Sequence, residues 1–153
     1  MITIRKALTT DADFIREHAY RLLDFDLPAW REKPQMTQAD ITHITHALSA
    51  NKPDDCIFVA VDENDERCGF VRVLMQPDYY TGEPYAHVGD IVVPAAFEGK
   101  GIGKLLLEKA DAWARENKAR WITLNVFEGN DRARTVYEKA GYKVEWIKYL
   151  KEL

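Results

Sequence analysis

The sequence predicts an α+β fold, a mixed and mostly antiparallel sheet flanked by helices. Strand-like runs and helical apolar stripes follow one another in the order β-α-α-β-β-β-α-β-α-β. Two adjacent strand-like runs in the middle of the chain are joined by a polar turn, which indicates an antiparallel hairpin. Regular βαβ alternation is absent from the first half, which disfavours a doubly wound parallel sheet.

The elements of the first half are strand, helix, helix. Residues 2–7 are predicted as the first strand. Thr10 precedes an imperfect apolar stripe over residues 11–25 and is predicted to cap that helix. After a proline-containing connection, Thr37 is predicted to cap a second helix over residues 37–50.

In the middle of the chain, the spacing of the apolar residues changes from that of a helix to that of a strand. Residues 56–61 and 68–74 are rich in β-branched and aromatic side chains and form the hairpin strands. A loop leads to a fourth strand over residues 85–93. Pro94 ends that strand because proline donates no ladder hydrogen bond.

The last third returns to alternating helices and strands. A helix opens at Gly101 or Gly103, with apolar residues at helical spacing on one face. Residues 120–127 are predicted as a fifth strand. Asn130 is predicted to cap a short helix, and residues 142–150 to form a final strand.

Length and composition predict a single domain over residues 1–153, with a net charge of −4 that gives no basic field for nucleic acid. Neither a signal peptide nor a stretch of about 18 apolar residues is present, so we expect a cytoplasmic protein without a membrane partner.

Cys56 and Cys68 are expected to be free thiols. His43 and His46 share a helical face with Asp40, but nothing completes a ligand set, so no metal is expected.

The strongest chemical signal is the glycine-rich segment that follows the fourth strand. Gly99, Gly101 and Gly103 allow positive φ and close approach of a ligand to the backbone. Free N–H groups at the start of the following helix form an anion site, to which Lys100 and Lys104 add charge. The segment therefore favours a ligand that carries phosphate groups.

The spacing excludes the two common nucleotide loops. A Walker A loop requires G-x-x-x-x-G-K-[ST], but Leu105 follows Gly103-Lys104. A dinucleotide fingerprint requires G-x-G-x-x-G, whereas the spacing here is G-x-G-x-G.

Two blocks resemble the GCN5-related N-acetyltransferase (GNAT) family. Residues 90–106, DIVVPAAFEGKGIGKLL, resemble the family's acetyl-CoA block [QR]-x-x-G-x-[GA]. Residues 130–142, NDRARTVYEKAGY, are similar to its N-x-x-A-x-x-x-Y-x-x-x-G-[FY] block. One position departs from the pattern, because Glu98 stands where the family usually has Gln or Arg.

The resemblance implies a cofactor site between strands 4 and 5, which splay apart in such proteins. The backbone of Ile91 and Val93 would pair with the pantetheine arm, and the loop N–H groups would hold the pyrophosphate. Asn130 and Tyr137 would contact the cofactor. The implied cofactor-binding residues are Ile91, Val93, Glu98, Gly99, Lys100, Gly101, Ile102, Gly103, Lys104, Asn130 and Tyr137.

The resemblance also assigns catalytic roles. Tyr137 matches the usual general acid, although its pattern alone favours a packed core tyrosine. His87 lies where some members carry a catalytic glutamate, and its ordinary pKa near 6.5 suits a base at neutral pH. Asp90 and a water relay are the alternatives. An acceptor amine is expected to contact Phe25, Asp26, Trp30, Tyr79 and Tyr80 through aromatic and carboxylate groups.

The sequence therefore predicts an acetyl-CoA-dependent N-acetyltransferase that acts on a primary amine of a small molecule or peptide. Direct attack in a ternary complex is expected, without an acyl-enzyme. The alternative is a non-catalytic acyl-CoA-binding or sensing module of the same fold. A homodimer is a further hypothesis, because the short C-terminal strand has an edge that can pair across a dimer.

Overall fold

A single five-stranded sheet, in the spatial order β1-β2-β3-β4-β5, is the centre of the structure. The computed structural model describes residues 1–153. Neighbouring strands are antiparallel except β4 and β5, which are parallel. The predicted fold class is confirmed. The strands are β1 (Thr3–Lys6), β2 (Asp55–Val61), β3 (Arg67–Pro77), β4 (Pro84–Val92) and β5 (Ile122–Leu124).

Helices cover both faces of this sheet. The α-helices are α1 (Ala12–His18), α2 (Lys33–Ala50), α3 (Ile102–Glu116) and α4 (Asp131–Lys139). Short 3₁₀ turns occupy Thr9–Asp11, Ala19–Leu23 and Ala95–Phe97. No helix combines the length and the apolar character that crossing a membrane requires.

Alternation along the central strands divides the core into two clusters. Val71 and Val73 of β3 face α3, whose Leu106 is fully buried. Phe70 of β3 and Val92 of β4 point to the opposite face and pack with α1 and α2. The sheet thus separates an α3 side from an α1/α2 side, and this division decides which side chains meet at the site.

A β-bulge interrupts β4. Arg72 pairs with Asp90, but the next residue of β3, Val73, pairs with Val88, so Gly89 is the extra residue. Because the bulge shifts the alternation by one, His87 and Asp90 lie on the same face of the sheet. Without the bulge, strict alternation would put His87 and Asp90 on opposite faces of the sheet.

The first helix departs from the prediction. It is shorter than residues 11–25, and Thr10 does not cap it. Asp11 is instead fully buried and accepts hydrogen bonds from Arg5, Arg67 and the backbone N–H of Leu8 at 2.7–3.0 Å. Burial alone would raise the pKa of Asp11, but these hydrogen bonds outweigh it and lower the pKa to about 2.

The second helix begins earlier than predicted. It starts at Lys33 and not at Thr37, because Pro34 lies in its first turn, where its fixed φ suits a helix and its missing N–H has no cost. Thr37 consequently lies inside the helix.

The end of the chain also differs. β5 is three residues long, shorter than the predicted 120–127. The predicted strand over residues 142–150 is wrong, since these residues belong to no strand or helix. β5 is the last strand of the sheet, and residues 142–150 do not pair with its outer edge. Cys56 and Cys68 are free and buried, as expected.

Candidate active site

The candidate site lies where β4 and β5 part. The two strands pair only over Ala86–Val88 and Ile122–Leu124. β4 continues to Val92 while β5 stops, so its last four residues have no neighbour on that side. Unpaired backbone groups at such an edge are free to bind an extended ligand as an added strand.

A row of backbone N–H donors follows β4. Gly101 is the N-cap of α3 with φ of +76°, and Gly99 has φ of +73°. In this turn the six consecutive N–H groups of residues 99–104 donate to no protein acceptor. They lie at the positive end of a 15-residue helix, the place where a phosphate group binds most favourably.

The loop also permits close approach. A Cβ placed on Gly99 or Gly101 would meet no atom within 4 Å, so the space above the turn is open. A Cβ on Gly103 would contact Val93 Cγ2 at 3.9 Å, which places the end of β4 directly beside the first turn of α3. The open strand edge and the N–H groups therefore form one continuous surface.

Glu98, the residue that departs from the family pattern, is paired with two cations. Its Oε1 forms ion pairs with Nη2 of Arg21, from the turn before α2, and with Nη2 of Arg132, in the first turn of α4. The two guanidinium groups neutralise the carboxylate at the rim of the anion site and bring two cations to that rim. We call this group the Glu98 triad.

Tyr137 lies on α4 with its ring against the α3-side core and 6.1 Å from the ring of Tyr142. Burial raises the pKa of its phenol above the usual 10. Its hydroxyl has no hydrogen-bond partner in the protein, a feature that it shares with the buried hydroxyl of Tyr142. The phenol is thus held protonated and is available to donate.

Asn130 caps α4, as predicted. Its Oδ1 accepts from the N–H of Ala133 at 3.2 Å, and its side-chain amide donates to no protein group. This cap fixes the start of the helix that carries Tyr137.

His87 and Asp90 both point to the α1/α2 side because of the bulge. His87 is half-buried, and its Nδ1 shares a hydrogen bond of 2.8 Å with the hydroxyl of Thr123 on β5. Nε2 has no partner in the protein. Burial and the charge of Arg72 lower the pKa of His87, so the ring is neutral at pH 7 and able to accept a proton.

Asp90 is the most deeply buried carboxyl group near the site, with 11% of its side chain exposed. Its Oδ2 lies 3.6 Å from Arg72 Nη1, while Arg72 is held by Asp55 through two hydrogen bonds of 2.8 Å. Burial raises the pKa of Asp90 to about 6, since the shared Arg72 only partly offsets desolvation and the charges of Asp40 and Asp55 add to it.

The predicted acceptor residues fall into two places. Phe25 packs against Phe127, just beyond β5, at 5.6 Å between ring centroids. A Cβ on Gly129 would lie 3.3 Å from the carbonyl oxygen of Asp26, so this segment, which leads on to the half-exposed Trp30, lies across the end of β5.

The rings of Tyr79 and Tyr80 meet edge to face in the β3–β4 loop, with 5.1 Å between their centroids, and both side chains are almost fully exposed. That loop precedes Pro84, the first residue of β4, whereas the split opens beyond Val88. The structure therefore places these two aromatic residues at the opposite end of β4 from Phe25 and Asp26. No three His, Cys, Asp or Glu side chains gather as a potential metal centre.

Four residues of the site carry no sequence signal of their own. Arg72 and Thr123 are ordinary strand residues until the bulge and the β4–β5 register bring them to Asp90 and His87. Arg21 and Arg132 look like solvated helix residues, and Arg21 is 77 positions away from Glu98. Only the folded topology identifies them.

The geometry defines a class of protein: an α+β domain in which a parallel strand pair opens beside an anion-binding loop, as expected for acyl-CoA-dependent transferases. The family model described as the acetyltransferase (GNAT) family matches residues 16–142. The chain therefore belongs to the GNAT acetyltransferase family, and the predicted resemblance is confirmed.

Related proteins are named N-acetyltransferases. The chain is 35% identical over 120 residues to the peptidyl-lysine N-acetyltransferase YjaB of Salmonella typhimurium, covering 75% of this chain and 72% of that protein. The match to YjaB of Escherichia coli is 32% identical and covers 67% of this chain. It spans 60% of that protein, and a match to YdgE of Bacillus subtilis spans 57%, so the chain covers about three fifths of these relatives.

Solved structures share the fold along the whole chain. The ribosomal-protein-alanine N-acetyltransferase of Brucella melitensis superposes with a TM-score of 0.74 at 21% identity, covering 100% of both chains. The aminoglycoside N-acetyltransferase AAC(6')-Iy in complex with CoA has a TM-score of 0.75 at 18% identity, covering 99% of this chain and 95% of that one. At these identities the likeness concerns the fold.

Proposed function

We propose that residues 1–153 form one acetyl-CoA-dependent N-acetyltransferase domain that acetylates a primary amine of a small molecule or peptide. The observation that carries the proposal is the row of six unpartnered N–H groups at residues 99–104, placed at the end of an open strand edge. A diphosphate fits the row, and an extended amide-containing arm fits the edge. Family membership and the CoA complex of AAC(6')-Iy support the same ligand.

Direct transfer of the acetyl group to an amine requires a group that takes a proton from that amine. The amine must lose a proton before it attacks, because an alkyl ammonium has a pKa near 10. We assign this step to His87, whose neutral ring has a free Nε2. Asp90 is the second candidate, because it is ionised above about pH 6 and lies on the same face of the sheet.

Tyr137 is assigned to the other end of the reaction. The departing thiolate has a pKa near 8.5, and a phenol with a pKa above 10 protonates it once the two groups share a hydrogen bond. We assign the stabilisation of the carbonyl oxygen, as it gains charge, to backbone N–H groups near Val93. No cysteine takes part, because both thiols are buried in the β2–β3 hairpin.

The direct test is the release of CoA from acetyl-CoA in the presence of a panel of amines: polyamines, aminoglycosides, amino acids, and peptides with lysine or free N-terminal amines. Turnover with any one of them supports the proposal. Tight binding of acetyl-CoA without turnover on any amine favours the non-catalytic binding module.

Two variants test the assigned residues. His87→Gln is expected to lower kcat/KM by at least about 100-fold and to remove the decline of rate at acidic pH. Asp90→Asn, which keeps the shape of the side chain, serves as the comparison for the base. If Asp90→Asn removes the acidic decline and His87→Gln does not, Asp90 is the base. The cytoplasmic location expected from the sequence stays a prediction.

A further inference from the structure

The two arginines of the Glu98 triad differ in how firmly they are held. The side chain of Arg21 is 12% exposed and forms a second ion pair, with Asp24. The side chain of Arg132 is 65% exposed, and Glu98 is its only ion-pair partner. Arg132 therefore gives up a single ion pair if it turns to another anion, while Glu98 and Arg21 stay paired with each other.

The ion pair between Glu98 and Arg132 joins the two sides of the split. Glu98 lies after β4 and immediately before the N–H groups of residues 99–104. Arg132 lies in the first turn of α4, the helix that follows β5. Both charges therefore act on any anion that these N–H groups bind.

The two charges act on such an anion in opposite directions. The carboxylate of Glu98 repels it and also occupies the guanidinium group of Arg132. A guanidinium group attracts it, because its planar array of donors matches the oxygen atoms of a phosphate group. A bound phosphate group thus competes with Glu98 for the same arginine.

We propose that Arg132 is a cofactor-binding residue, and that a phosphate group of acetyl-CoA replaces Glu98 as its partner. Glu98 keeps its ion pair with Arg21, so every charge of the triad remains paired after the exchange. Before the cofactor binds, Glu98 holds Arg132 beside the N–H groups. The inference rests on the proposed function, because it takes acetyl-CoA as the ligand.

The first measurement is the Kd for CoA, by calorimetry, of the unaltered protein, Arg132→Gln and Lys139→Gln. Lys139 lies in the last turn of α4 and loses the same charge, so it is the matched control. Arg132→Gln is expected to weaken CoA binding about tenfold, and Lys139→Gln less than about twofold. An unchanged Kd in Arg132→Gln, or an equal loss in both variants, overturns the proposal.

Glu98→Gln tests the exchange itself. It is expected to tighten CoA binding about threefold, because Arg132 no longer has to leave an anion. The same substitution is expected to have a clearly smaller effect in the Arg132→Gln protein. Equal effects in the two backgrounds would show that Glu98 acts on the phosphate directly, and weaker binding by Glu98→Gln alone would show that no competition exists. Either result overturns the proposal.

Dephospho-CoA identifies the phosphate group, because it lacks the ribose phosphate and keeps the diphosphate. An equal loss with both ligands in Arg132→Gln supports exchange onto the diphosphate, and a loss with CoA alone supports exchange onto the ribose phosphate. If Arg132→Gln is not folded by circular dichroism, Arg132→Lys takes its place. It keeps the charge without the planar donors and is expected to bind CoA about threefold more weakly, and an unchanged Kd overturns the proposal.

These measurements need no acceptor amine. If the unaltered protein does not bind CoA, the proposed function and this inference fail together. If it binds CoA and transfers acetyl groups while Arg132→Gln binds CoA equally well, only this inference fails.

Discussion

Replacing Asp90 by Asn is expected to make the protein more stable at neutral pH. The side chain is buried, and only one cation, Arg72 at 3.6 Å, lies close enough to compensate its charge. Arg72 is already engaged by Asp55. Asparagine keeps the shape of the side chain and removes the charge that burial disfavours.

The magnitude follows from the pKa of Asp90, which rises from 3.8 to about 6 on folding. Below about pH 4 the carboxyl is protonated in the folded and the unfolded chain, so it has no ionisation cost. As the pH rises from about 4 to about 6 the unfolded chain ionises first, and the folded state loses stability. Above that range the loss is constant at about 3 kcal/mol, from about 1.4 kcal/mol per pKa unit.

The assay is urea unfolding of the unaltered protein and of Asp90→Asn at pH 4.5 and pH 8. The variant is expected to gain about 1 kcal/mol in the free energy of unfolding at pH 4.5 and about 3 kcal/mol at pH 8. Asp55→Asn is the matched control, because it removes the other carboxylate from Arg72. It removes the negative charge and one of the two acceptors that bind the largely buried Arg72, and is expected to destabilise the protein at both pH values.

A loss of stability in Asp90→Asn at pH 8, or an equal change at both pH values, would refute this reasoning. Either result would mean that the ion pair with Arg72 outweighs the desolvation of the carboxylate. The expected result would show that this buried carboxylate is unfavourable for folding, which is common for groups that serve a reaction.

Three further variants test the site. Tyr137→Phe is expected to lower kcat at least about 100-fold with little change in the Kd for acetyl-CoA, and an unchanged rate across pH would remove the tyrosine from the mechanism. Gly101→Ala and Gly82→Ala both force a side chain into positive φ in open space, at about 1 kcal/mol each. Only Gly101→Ala is expected to weaken acetyl-CoA binding, measured by calorimetry, and equal Kd values in the two variants would contradict the anion site. Asn130→Ala removes the hydrogen bond to the N–H of Ala133 and is expected to lower the free energy of unfolding by about 1 kcal/mol in a urea titration, whereas unchanged stability would mean that the cap is dispensable.

Local patterns predicted much of the fold. Strand periodicity and the polar turn identified the β2–β3 hairpin, and Gly101 and Asn130 begin the helices that their residue types indicated. The α2 helix begins at Lys33 because proline favours a first turn, a signal that competes with the threonine at position 37. Strand periodicity alone also indicated a strand after α4, but a periodic segment is a strand only when it pairs with another, and residues 142–150 join no ladder in the chain.

The candidate site was harder to predict because it depends on contacts between distant parts of the chain. A single inserted residue, Gly89, puts His87 and Asp90 on one face, and periodicity does not reveal a bulge. From its neighbours in sequence alone, the negative charge of Glu98 is expected to disfavour an anion in the adjacent loop. Its partners lie in other elements, so the compensation became visible only in the fold.

Because of the Glu98 triad, the residue that suits position 98 depends on the residues at positions 21 and 132. Introducing the arginine that the family often has at this position would bring three guanidinium groups together, and introducing glutamine would leave Arg21 and Arg132 without their shared anion. The arginine is expected to be tolerated better once Arg21 or Arg132 has changed, whereas after the glutamine substitution Arg21 still has its ion pair with Asp24. The effects of mutations at these three positions will therefore not add, and the order in which they accumulate determines which variants an evolving population, or an engineer, is able to reach.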